Sequence, residues 1–257
     1  MKIIFLGTNG WYSTKTGNTV SVLVQTPSRY IVFDAGDGIH RLNNYVKDEK
    51  PIDIFLSHFH LDHTIGLHIQ PKFMLMKNKF RIFGQPGTTK ILNTLVNRPF
   101  TAPYSLLKKQ GFELSIHELH EGENKIDEYK IIAGPLVHAD PCWGYRLEIN
   151  EGEKTKIISY CTDTGPCENL VNLSKGADVL ITECSMLPGE AVPADWPHLN
   201  PHEAAKAAKK AGCKRLILSH FAAQKYTSME LRRKAEKNAK EIFENSGAAE
   251  DEMAIEI

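Results

Sequence analysis

No pair of cysteines in these 257 residues has the spacing of a metal knuckle or of a disulfide framework. Cys142, Cys161, Cys167, Cys184 and Cys213 are scattered, which argues against a closed Cys-x-x-Cys zinc site and makes buried, reduced thiols the expected state. Cys161 lies two residues before Asp163 and is weighed as a lining residue of any site there, against the default of a core thiol. Long apolar runs are also missing. No segment reaches the ~20 residues that a bilayer span requires, and Met1 to Gly7 is too short to be a signal peptide. It reads as a first strand, and a cytoplasmic protein with no membrane partner is the expectation. Charge of one sign is absent as well: 31 basic residues balance 31 acidic ones, so no overall attraction to polyanions exists. There is no internal repeat and no low-complexity segment.

What remains is a chain with 42% hydrophobic residues, enough to bury a large core as one domain over residues 1–257. Its most informative stretch is Ser57-His58-Phe59-His60-Leu61-Asp62-His63, with four potential metal ligands inside six residues. The preceding Ile52 to Leu56 is aliphatic and aromatic, so the ligands emerge where a buried strand ends. Side chains alternate along an extended segment, which points His58 and His60 the same way. A turn into a helix near Leu61 then swings Asp62 and His63 toward a second point. Burying so many polar groups without a partner is costly. Imidazole and carboxylate donors suit borderline divalent ions, zinc first and manganese or iron next.

The run from His58 to His63 resembles the His-x-His-x-Asp-His signature of the metallo-β-lactamase superfamily. Further segments agree in chain order with its ribonuclease Z-like branch: Phe5 to Thr8 with Gly17-Asn18, Phe33-Asp34-Ala35-Gly36-Asp37-Gly38, Gly134 to His138, Asp163 to Cys167, and Leu218-Ser219-His220-Phe221. The resemblance implies a four-layer αββα sandwich and two divalent metal ions. One would be held by His58, His60 and His138, the other by Asp62, His63 and His220, with Asp163 bridging both. Strand-like segments precede His138, Asp163 and His220 too, so four strands deliver ligands at their carboxyl ends, where open sheets place their sites. Two adjacent metals lower the pKa of a shared water and supply hydroxide near neutrality, with no need for a Ser or Cys nucleophile.

In the same branch, a histidine before a late helix pairs with a glutamate after an earlier strand. Here those positions are His198 and Glu183, and the resemblance implies that they assist the leaving group in phosphodiester cleavage, with Asp62 also in the catalytic set. Asn200, Pro201 and Glu203 form a strong helix start, which places His198 in the entering loop. Leu199 stands where the branch usually has Ser. Asp34 follows a strand and opens a glycine-containing turn. It either orients a metal-binding histidine or only stabilises that turn. His202 reads as a solvated first-turn residue. His40, His68, His117 and His120 match no ligand position and read as surface or packing residues, with His68 the one of them best placed to face the cleft.

Strands are expected near the start and around 20–34, 52–57, 80–84, 112–119, 129–134, 143–149, 155–160, 179–183 and 215–219. Helices are expected at 87–97, 201–211 and 228–245, the last opened by a capping-box pattern at Thr227 to Glu230. The alternating tail 253–257 is suited to closing a sheet edge. These groups fit an α/β fold of two packed sheets with helices outside.

Only 24 residues lie between His138 and Asp163, too few for the long basic arm with which tRNA-processing members of the branch hold tRNA. Lys72, Lys77, Lys79 and Arg81 offer at most a local basic patch and read as a solvated loop. The expected substrate is therefore a small or cyclic phosphodiester, with nucleic acid not favoured. An ester, thioester or lactone hydrolase on the same centre, a tRNA 3′-end endonuclease and a non-catalytic metal-bound sensor are the alternatives. The resemblance further implies a homodimer.

Overall fold

Alternation of buried side chains gives each central strand two faces to cover. In strand Lys2–Gly7, Ile3 and Phe5 face one core while Ile4 and Leu6 face another. The computed structural model, which describes residues 1–152 and 154–257, extends this into two seven-stranded mixed sheets. The first runs in the spatial order Ala254–Glu256, Lys2–Gly7, Ser21–Gln25, Tyr30–Phe33, Ile52–Phe55, Phe80–Gly84, Leu114–Glu118. The second runs Ser246–Ala248, Leu216–Ser219, Val179–Glu183, Lys154–Cys161, Trp143–Glu151, Tyr129–Pro135, Gly122–Ile126.

The inner core joins both sheets through Phe5, Val22, Phe33, Phe55, Tyr145, Leu147, Ile158, Tyr160 and Ile181. On the outer face of the first sheet, Leu6, Val32 and Ile54 pack with Leu92, Val96 and Leu107 from helices Thr88–Leu95 and Tyr104–Lys109 and their margins. Outside the second, Leu180, Leu216 and Leu218 meet Leu170, Ala204, Ala208, Ala235 and Ala239 from three helices, Glu168–Ser174, Pro201–Ala211 and Met229–Lys240. Helix, sheet, sheet, helix is the αββα order expected. Among the described residues, no helix is long and apolar enough to cross a membrane.

Several boundaries differ from the sequence expectation. The stretch 20–34 is two antiparallel strands, and the polar edge strand Gly122–Ile126 went unrecognised because only Asn124 and Ile126 turn inward. The last helix ends at Lys240 rather than 245, since residues 246–248 pair in parallel with Leu216–Leu218. Ser228, not Thr227, caps that helix, accepting from the Leu231 amide. The tail does close an edge, pairing with residues 2–4.

Strands 30–33, 52–55, 80–84 and 114–118 are parallel, as are 154–161, 179–183 and 216–219. Their carboxyl ends open at one rim. A short parallel pair there, Asn9–Gly10 with Phe221–Ala222, ties the end of the first strand to the end of Leu216–Ser219 and so joins the two sheets.

Candidate metal centre

Every candidate side chain leaves a strand end at this rim. His58 and His60 follow Ile52–Phe55, and the chain then folds into the short helix Leu61–Thr64, which carries Asp62 and His63. His138 lies three residues beyond Tyr129–Pro135, Asp163 two beyond Lys154–Cys161, and His220 directly after Leu216–Ser219. The donor atoms fall into two groups, His58, His60, His138 and Asp163 in one and Asp62, His63 and His220 in the other, each with its atoms within 4.8 Å of one another.

Asp163 spans them with its two oxygens. Oδ2 lies 3.7 Å from His58 Nε2 and 3.9 Å from His138 Nε2, while Oδ1 lies 3.5 Å from His63 Nε2 and 3.1 Å from His220 Nε2. His220 Nε2 and His63 Nε2 are 3.3 and 3.6 Å from Asp62 Oδ2. Most of these separations are long for hydrogen bonds, and they suit ligands of a shared cation, whose donors at ~2.0–2.1 Å in a tetrahedron stand roughly 3.3 Å apart. His58 Nε2 and both ring nitrogens of His138 are buried without a hydrogen-bond partner, which is costly unless a ligand satisfies them. Chemistry and geometry thus fit a divalent metal pair.

The far nitrogens are held from behind. His63 Nδ1 donates to Asp34 Oδ2 at 2.8 Å, and that carboxylate also accepts from the Ser57 amide (2.7 Å), the Ser57 hydroxyl (2.8 Å) and the Tyr160 hydroxyl (2.7 Å). Of the two readings of Asp34, orientation of a histidine is therefore the one its contacts carry. His220 Nδ1 meets Ser185 Oγ at 3.3 Å, His58 Nδ1 meets Ser57 Oγ at 3.1 Å, and His60 Nε2 donates to Asp140 Oδ2 at 2.8 Å. Asp34, Asp163 and His220 all adopt left-handed backbone, with φ of 57°, 58° and 47°. Gly10 packs beneath His220 so closely that a Cβ there would lie 2.4 Å from the ring.

A sequence profile described as the beta-lactamase superfamily domain matches residues 29–221, three quarters of the chain. The chain belongs to this superfamily. The superfamily fold is shared with the metallo-beta-lactamase fold protein YhfI from Bacillus subtilis, at a TM-score of 0.80, 20% identity and 99% and 98% coverage of the two chains. Human tRNase Z, short form, superposes at 0.74 with 22% identity over 100% and 99%. Ribonuclease Z of Bacillus velezensis is 28% identical over 313 aligned positions, covering 100% of this chain and 99% of the relative. Since this chain has 257 residues, at least 56 of those positions have no counterpart in it. The interval between His138 and Asp163 is occupied by the tight hairpin of Trp143–Glu151 with Lys154–Cys161.

This superfamily member, a hydrolase, carries a second polar pair beside the cluster. His198 Nδ1 donates to Glu183 Oε1 at 2.7 Å. Glu183 is fully buried at the end of Val179–Glu183, and its oxygens also accept from the amides of Thr164, Ser185 and Leu199. Burial alone would lower the His198 pKa, but the Glu183 carboxylate beside it outweighs that and raises it to about 9. Burial holds His58 and His138 below the ordinary histidine range, which leaves their nitrogens neutral and free to donate lone pairs. Burial opposes the charged form of His63 as well, yet the carboxylates of Asp34, Asp62 and Asp163 raise it well above that range. Asp163 is buried too, and the surrounding histidines hold it ionised, His220 foremost.

Cys161 follows its default as a core thiol, packed on the helix side with Leu136 and Leu173, and Cys142 is the thiol near the cluster, 3.8 Å from His58 Nδ1. His68 is exposed, bonded to the Ile65 carbonyl, and does not line the cavity. Arg81 is paired with Asp53 and Lys79 with Glu113, so these two charges form no free basic patch. Asp140, Ser185, Trp11 and Trp196 were not anticipated. Asp140 had a signal in its place two residues after His138, whereas the tryptophans arrive from loops with no periodicity to mark them.

Proposed function

We propose that this protein is a dinuclear metal-dependent phosphodiesterase, using two divalent ions, zinc in the first instance with manganese or iron as alternatives. The observation that carries this reading is the buried Glu183–His198 pair at 2.7 Å beside Asp163 and His220. Two such ions, when bound, lower the pKa of coordinated water and polarise a phosphoryl oxygen. His58, His60 and His138 would hold one ion and Asp62, His63 and His220 the other, with one oxygen of Asp163 for each.

The remaining chemistry belongs to the chain. Glu183 accepts from Nδ1 of His198, which fixes the ring and leaves Nε2 to carry a proton toward the cleft. With a pKa near 9, His198 is protonated at neutral pH and able to donate to a departing alkoxide. An ester or lactone leaving group has less use for that donor.

Metal-restored protein is expected to hydrolyse bis(p-nitrophenyl) phosphate or cyclic nucleotides. Inactivity on both, with turnover of an ester, thioester or lactone, would overturn the reading. A second reading, tRNA 3′-end cleavage, draws on the full-length similarity to ribonuclease Z. The hairpin in place of an arm and the balanced charge weigh against it, and cleavage of a precursor tRNA is its direct test.

A further inference from the structure

Two of the three tryptophans stand in solvent beside the cluster. Trp11 is 58% and Trp196 40% exposed, and both line a cavity of about 720 Å³ that opens over Asp62, Asp163, His198 and His220. That volume falls within the ~300–1,000 Å³ usual for small-molecule sites. Leu61, Met186 and Pro193 make much of the remaining wall apolar.

The rings are stacked in order. Trp196 lies over the His60 imidazole with centroids 5.7 Å apart and planes 7° from parallel, and Trp11 lies 6.5 Å from Trp196 at 10°. Three near-parallel planes thus lead outward from a candidate metal ligand. Trp11 is also held at some cost. Its φ is +69°, a conformation that bulky residues rarely adopt, and its amide donates to Asp62 Oδ2 at 2.7 Å. Neither core packing nor fold closure calls for an exposed indole in that position. A platform fixed before the ligand arrives loses little entropy on binding.

We infer that Trp11 and Trp196 form a stacking surface for a nucleobase, so that the substrate is a nucleotide phosphodiester and not an alkyl one. For the phosphodiester part, the inference rests on the function proposed above. Parallel planar rings select flat π-systems over aliphatic groups, and a base added to the stack meets Trp11, whose amide bond to Asp62 ties that ring to the rim of the cluster. Gln224 lines the same cavity with an amide that offers donors and an acceptor to a base edge.

The test compares AMP with ribose 5-phosphate by calorimetry on the metal-loaded protein, since the two ligands differ only in the base. AMP is expected to bind about tenfold tighter, equivalent to ~1.4 kcal/mol. Trp11→Ala should abolish that preference, and Trp11→Phe, which restores a ring, should keep most of it. Equal affinities in the unmodified protein, or an unchanged preference in Trp11→Ala, would overturn the inference. Turnover of bis(p-nitrophenyl) phosphate without an AMP preference defeats the base-binding inference alone. An AMP preference without any diesterase activity defeats only the proposed reaction.

Discussion

The imidazole of His198 and the carboxylate of Glu183 meet at 2.7 Å in the interior, with Oε1 of the same carboxylate also accepting the Thr164 amide at 2.7 Å. One buried acid therefore positions the proposed proton donor and anchors the loop that carries Asp163.

If His198 protonates the departing oxygen, its loss matters most where that oxygen is a poor leaving group. His198→Ala is expected to lower kcat by ~10²–10⁴ on an unactivated phosphodiester, and much less on bis(p-nitrophenyl) phosphate, whose nitrophenolate departs without help. Equal losses on the two substrates would remove the donor role.

The pH profile follows from the same pair. As the proposed donor His198 would act while protonated, so kcat is expected to fall as pH rises through about 9. Glu183→Gln removes the charge that raises the pKa, and the alkaline limb should move down toward 6.5, the ordinary value. Stability shares the sign. The ion pair contributes fully below about 6.5 and loses its contribution as pH rises through about 9. A limb unmoved by the substitution, measured from kcat across pH, would contradict this account.

Asp34 touches no candidate metal directly but fixes His63, accepting from its Nδ1 together with Ser57 and Tyr160. Asp34→Asn is expected to weaken metal affinity by ~10–100-fold, as such supporting partners commonly do. Metal content after dialysis against graded chelator is the measurement. Retention equal to the unmodified protein would reduce Asp34 to a turn residue.

Gly10→Ala probes the centre from below. The new methyl would sit 2.4 Å from His220, forcing that ring out of the cluster while leaving the ligand set chemically complete. Loss of about one metal per chain is expected, with near-native circular dichroism. Full occupancy would mean that His220 moves freely.

The run from His58 to His63 was legible as a local pattern, a strand followed by polar donors. His138, Asp163 and His220 entered as candidate ligands through the family resemblance, which the strand-like segments before them support. The groups that hold the ligands from behind were not legible. Tyr160 reaches Asp34 from the opposite sheet, and Ser185 reaches His220 from a loop. Such contacts exist only once the two sheets are packed, and no periodicity announces them. Helix Glu168–Ser174 was overlooked for a related reason: its cap is Cys167, an uncommon capping residue, and the helix is short.

Asp34, Asp163 and His220 occupy backbone conformations in which glycine would be more comfortable. At Asp34 that cost is offset by the buried donors of Ser57, Tyr160 and His63, but Asp163 and His220 have no comparable support from the fold. Lineages of this protein screened only for a higher melting temperature should drift toward glycine at 163 and 220, and would become sturdier folds that no longer turn over substrate.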